Sequence, residues 1–118
     1  MNTFIVDKIL SYEEEFMERR EAFRRWLQTE KNKKTGKAIP EKTIESYMKG
    51  IHKISDEMYE TGIISKRLYS MKDIEEVNEA VAKIKKQHTY LSLNEKSDNN
   101  LHKALNYYTK FIESINEK

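Results

Sequence analysis

One proline and three glycines are the entire supply of strong chain breakers in these 118 residues, and no other feature constrains the fold as much. A sandwich or barrel of short strands needs turn signals about every 8–12 residues. Helices need them only at their ends. The four breakers, Gly36, Pro40, Gly50 and Gly62, all fall between positions 36 and 62. On either side, apolar residues recur at helical rather than alternating spacing. The expectation is an all-α fold, a single domain over residues 1–118, built as a bundle of four main helices with room for a short fifth at the N-terminus.

The individual helices follow from the apolar stripes. Ile5, Ile9, Tyr12, Phe16, Phe23 and Trp26/Leu27 define the first, with a capping-box sequence at Ser11–Glu14 where a short N-terminal helix breaks and restarts. Residues 30–38 are polar and aperiodic, which predicts a loop. Pro40 suits a helix start with Ile39 as its staple, and Ile44, Tyr47, Met48, Ile51, Ile54 and Met58 form the cleanest stripe. Gly50 interrupts that helix, as expected where another backbone passes close, and Thr61-Gly62 is a stop signal. Ile63, Ile64, Leu68 and Tyr69 anchor a connector. Asp73–Glu76 has capping-box character before Ile74, Val77, Val81 and Ile84, and the third helix ends in Lys83, Lys85, Lys86 and His88. Residues 89–96 read as a turn-containing link. The last helix is predicted to start at Ser97 or Asp98 and to turn Leu101, Leu105, Tyr108, Ile112 and Ile115 inward.

Several function classes are disfavoured by what is missing. There is no cysteine, hence no disulfide framework, thiolate nucleophile or thiolate zinc site. Gly36-Lys37 lacks the upstream glycine and following hydroxyl residue of a phosphate loop. His52, His88 and His102 do not have the spacing of paired metal ligands, and no lysine follows a carboxylate by two positions, as metal-dependent nucleases often require. Tyr47 and Tyr108 lie on core stripes, where an aromatic ring is packing material. The chain therefore reads as a non-enzyme with no metal and no cofactor. No apolar run approaches the roughly 18 residues of a membrane span. The first eight residues lack a basic leader, so a cytoplasmic protein without a membrane partner is expected.

The positive signal is electrostatic. The net charge is only +2, yet residues 19–37 hold eight basic side chains against two acidic ones. Four of the five arginines (Arg19, Arg20, Arg24, Arg25) fall within seven positions, followed by Lys31, Lys33, Lys34 and Lys37 in the loop. Guanidinium groups donate in a planar fork that suits phosphate. On the second helix Lys42, Ser46, Lys49 and Lys53 share one face, and Lys42, Thr43 and Ser46 at its N-terminal end are placed to reach base edges. Such a helix and loop would hold duplex DNA through its phosphates. The plainer reading is a solvated surface. Glu15–Arg19, Glu21–Arg25, Glu45–Lys49 and Lys53–Glu57 are all opposite charges four residues apart, which is sufficient for a helix face in water.

The run Phe23-Arg24-Arg25-Trp26-Leu27, a basic loop, and then Lys42-Thr43-Ile44-Glu45-Ser46-Tyr47 resembles the helical SAM-like core-binding domain of tyrosine recombinases. Residues 100–112, with Ala104-Leu105 ahead of Tyr108 and Phe111, and the connector Leu68–Ile74 are similar to a related N-terminal module of bacterial restriction endonucleases. The resemblance spans roughly residues 16–115. It implies a DNA-clamping helical domain of a restriction, defence or recombination system that works beside a separate catalytic subunit or domain. The recombinase His-x-x-Arg set is absent from this sequence. The alternative is a protein-interaction or dimerisation module of a small phage or defence protein, a homodimer in which the acidic Glu13, Glu14, Glu15 and Glu18 of one copy meet the arginines of another.

Overall fold

The computed structural model describes residues 17–30 and 36–116, and these are mostly helical, with no strand among them. Helix α1 covers residues 17–29, α2 runs Glu41–Glu60, and a single 3-10 turn, Leu68–Ser70, leads to α3, Ile74–Lys85. Helix α4, His88–Lys96, and α5, Asn100–Asn116, complete the chain. The all-α expectation holds, but the helix count needs correction. Residues 89–96, read from sequence as a link, belong to a full helix. The expected short N-terminal helix, with Ile5, Ile9, Tyr12 and Phe16, lies outside the described residues.

Local chemistry explains most boundaries. Pro40 is the N-cap of α2, with φ −60° and ψ 146°, and Ile39 and Ile44 on either side of it are both buried, the arrangement of a staple. The same helix ends in a Schellman motif. Ile63 N–H reaches back to Met58 O (2.9 Å), Gly62 N–H reaches Tyr59 O (3.1 Å), and Gly62 takes φ +79°. Asp73 caps α3 by accepting from Glu75 N–H at 2.9 Å. The reciprocal half of a capping box does not form, Glu76 lying 3.3 Å from Lys66 instead, and Asn116, from the end of α5, accepts the Ile74 N–H and donates to Lys72 O, both at 2.9 Å.

Helix α5 lies at the centre, packed against α2, α3 and α4. Its stripe of Leu101, Ala104, Leu105, Tyr108, Phe111 and Ile112 is buried, as are the stripes of α2 and α3, but Ile115, expected inward, is 42% exposed. Aromatic rings hold α1 to this core. Phe23 meets Tyr108 edge-on (5.2 Å between centroids, 88° between planes), while Trp26 packs on Phe111 at 5.8 Å. Each such pair adds about 0.5–1.5 kcal/mol beyond the area it buries. The connector is held by side chains from two helices: Ser55 Oγ accepts the Leu68 N–H at 2.8 Å, and Tyr108 donates its hydroxyl to Leu68 O at 2.7 Å.

Three further sequence expectations shift. His88 opens α4 rather than closing α3. Helix α5 starts at Asn100, because Asp98 and Asn99 adopt left-handed backbone (φ +55° and +67°) and form the turn. Gly50 faces a side chain, not a backbone: a Cβ there would lie 3.4 Å from Leu101 Cδ1.

Candidate functional site

The basic residues divide into two groups with different roles. Arg19, half-buried, donates from its guanidinium to the carbonyl of Tyr69 and so ties α1 to the connector. Arg20 is also half-buried. Arg24 donates to Glu41 and also lies 3.3 Å from Glu45, so one guanidinium joins α1 to two carboxylates on the first turns of α2. Arg25 remains exposed, with Glu21 at 3.9 Å. The cluster that sequence places on phosphate is thus engaged, at Arg19 and Arg24, within the fold itself. Lys31, Lys33 and Lys34 lie outside the described residues, and Lys37 is exposed.

That arrangement changes the second helix. Glu45, expected to pair with Lys49, faces Arg24 instead, and the expected Lys53–Glu57 pair does not form. Among the described residues, no carboxylate lies within 4.0 Å of Lys42, Lys49 or Lys53. All three lysines and Ser46 are exposed, while Thr43 is half-buried. Lys42, Ser46 and Lys49 line one shallow depression together with Glu41 and Glu45. Ser46 and Lys53 continue into a second cleft, of about 330 Å³, shared with Gly50, Leu93, Lys96, Ser97, Asn100, Leu101 and Ala104.

This second cleft brings in residues that sequence reasoning missed. Asn100 Nδ2 donates to Ser46 Oγ at 2.7 Å across 54 positions of sequence. Lys96 is not legible as a site residue in the sequence, because its helix buries only Tyr90 and has no apolar stripe. Asn94 organises the turn beneath it: its Oδ1 accepts the His102 N–H at 2.9 Å and its carbonyl accepts the Asn99 N–H at 2.9 Å. Ser97 Oγ accepts the Leu101 N–H at 3.3 Å.

Other reactive groups are separated. No cluster of three or more His, Asp or Glu side chains able to hold a metal occurs among the described residues. His52 sits beside Asp56 at 3.3 Å, and His102 lies within 3.2 Å of Asn106 Nδ2. Burial, with Lys85 as a second cause, lowers the His102 pKa. Burial pushes the hydroxyls of Tyr47 and Tyr108 up, away from the ionised form a nucleophile needs. No described helix is long and apolar enough to cross a membrane. No family model, curated protein or solved structure matches this chain.

Proposed function

We propose that the chain is a non-catalytic DNA-binding module that holds the duplex backbone on the outer face of α2. One observation carries this reading: Lys42, Lys49 and Lys53 stand in a row on α2 with no carboxylate within 4.0 Å among the described residues, Glu45 being turned to Arg24. Eleven residues of helix rise about 16 Å. Projected on the duplex axis, where the phosphates of one strand recur about every 3.4 Å, that length spans about five of them. Ammonium groups so spaced gain affinity by releasing condensed counterions, and Ser46 between them adds a hydroxyl contact. Arg25 and Lys37, both exposed, extend the positive surface, and Lys31, Lys33 and Lys34, outside the described residues, enter the proposal by their charge in the sequence alone. Arg19 and Arg24 support that surface from within. A restriction, defence or recombination setting with a separate catalytic partner is part of the proposal and rests on the resemblance alone.

Fluorescence anisotropy with labelled duplex, titrated from about 50 to 200 mM salt, tests it. Three neutralised phosphates predict an affinity loss of about 40-fold over that range. Lys49→Gln should reduce the slope by about one and weaken all sequences alike. No binding at the lowest salt would overturn the proposal.

The interaction-module reading has its own observation. Met17 and Ile115 are 55% and 42% exposed. Ile115 lines a depression with Glu18, Arg19 and Phe111 that would suit a second copy. A shift to monomer in sedimentation on Ile115→Glu would favour it, and a monomeric native chain would exclude it.

A further inference from the structure

The cleft between α2 and the α4–α5 turn has the features of a small-ligand site, independent of any contact with duplex. Its volume, about 330 Å³, is at the lower end of the range for small-molecule pockets. Gly50, Leu93, Leu101 and Ala104 make its apolar part. At Gly50 the α2 backbone is bare, and an added Cβ would sit 3.4 Å from Leu101 Cδ1, so α2 and α5 pass close together at the apolar wall of the cleft.

Beside this apolar surface stands the Ser46–Asn100 pair. With Asn100 Nδ2 donating to Ser46 Oγ at 2.7 Å, the Ser46 hydroxyl proton and Asn100 Oδ1 have no further partner among the described residues. They present one donor next to one acceptor. Turning the amide over leaves a serine oxygen as acceptor and an amide N–H as donor, the same complement. Such a pair matches the donor–acceptor edge of a nucleobase. Lys53 and Lys96 line the same cleft and, among the described residues, have no carboxylate within 4.0 Å. The helix terminus does not supply the anion contact: the Leu101 and His102 N–H groups of α5 are already bonded to Ser97 Oγ and Asn94 Oδ1.

We propose that this cleft binds a free nucleoside monophosphate, its base lying against Gly50, Leu93 and Leu101 with its edge on Ser46 and Asn100, and its phosphate on Lys53 and Lys96. Because Ser46 and Lys53 also belong to the α2 stripe, an occupied cleft competes with whatever anion that stripe holds.

The test uses the full ¹⁵N-labelled chain without DNA, so its outcome does not depend on the duplex reading. Adenosine, guanosine, cytidine and uridine 5′-monophosphates are titrated in turn, followed by inorganic phosphate and the free nucleosides. At least one nucleotide should give saturable shifts at Gly50, Leu93, Ser97, Asn100 and Leu101 with a dissociation constant of about 1 mM or tighter. Phosphate or nucleoside alone should bind at least about tenfold more weakly, since each supplies only half of the contacts. Lys96→Glu, an exposed change, should weaken nucleotide binding about tenfold while leaving the amide spectrum folded. Gly50→Leu, in a chain whose spectrum remains native, should abolish it. Absence of saturation with all four nucleotides overturns the proposal, as do equal shifts with inorganic phosphate or an unaltered affinity in Lys96→Glu.

Discussion

Tyr108 shows how much one buried side chain carries here. The ring meets Phe23 edge-on and also packs beside Tyr69, at 5.5 Å. Its hydroxyl donates to Leu68 O at 2.7 Å, a second hydrogen bond to a buried carbonyl that already accepts the Met71 N–H at 3.0 Å. Tyr108→Phe keeps the ring and removes the donor; the carbonyl retains the Met71 N–H, so the cost is that of one hydrogen bond, about 0.5–1.5 kcal/mol, measurable as a lower urea midpoint. The same group makes stability fall at alkaline pH. Burial raises its pKa in the fold, against the opposing pull of Arg19, above the ordinary 10.0. Below pH 10.0 the contribution is complete. As pH rises past that value the unfolded chain releases its proton first, and stability falls. Tyr108→Phe should therefore flatten, though not abolish, the alkaline loss in a series of urea melts, because Tyr69 is raised by burial in the same way. Helical spacing puts Tyr108 in the core from sequence alone. The hydroxyl's partner 40 residues away leaves no trace there, since any carbonyl accepts equally well.

At the scale of elements, legibility follows burial. Helix α2 hides seven residues on one face and could be read residue by residue, whereas α4 buries only Tyr90 and so has no stripe to find. Its ending was hidden for another reason. Asn99 N–H returns to Asn94 O at 2.9 Å and Asp98 N–H to Glu95 O at 3.1 Å, a second Schellman motif, but with aspartate where Gly62 stands in the first. Without a glycine the stop signal disappears from the sequence, and the backbone adopts the left-handed form at φ +55° regardless. The two caps make opposite predictions. Asp98→Gly relieves that strain and should stabilise the domain by about 0.5–1 kcal/mol, the glycine's extra freedom when unfolded taking back part of the gain. Gly62→Ala introduces strain at φ +79° and should destabilise by about 1 kcal/mol, although nothing crowds its Cβ. Urea midpoints moving in the same direction for both variants would contradict this account of the turns.

Across the whole molecule, the fold redistributes charge that composition leaves nearly balanced. Sequence spacing pairs each cation with a carboxylate four residues away on its own helix, because those are the only neighbours a sequence reveals. Arg24 instead reaches from α1 to Glu41 and Glu45 on α2, and Arg67 reaches Asp56 at 2.8 Å. Arg24 thus takes Glu45 from Lys49, and among the described residues the α2 lysines have no carboxylate within 4.0 Å. The arginine cluster was legible as a concentration of charge, but its inward use at Arg19 and Arg24 depends on which elements the fold brings beside it. If the α2 face holds phosphate, the two glutamates next to it work against affinity. Glu41→Gln with Glu45→Gln removes two negative charges and frees Arg24. Duplex binding should tighten by about tenfold at 50 mM salt and its salt slope should steepen by about one. The same change removes exposed ion pairs of about 0.2–1 kcal/mol each and an acidic residue from the first turn of α2, so the melting temperature should fall slightly. Tighter binding by a less stable domain is an outcome that a purely structural role for these groups does not produce. Weaker binding that tracks the loss of stability would make Arg24 a brace between helices, with no phosphate held on the face beside it.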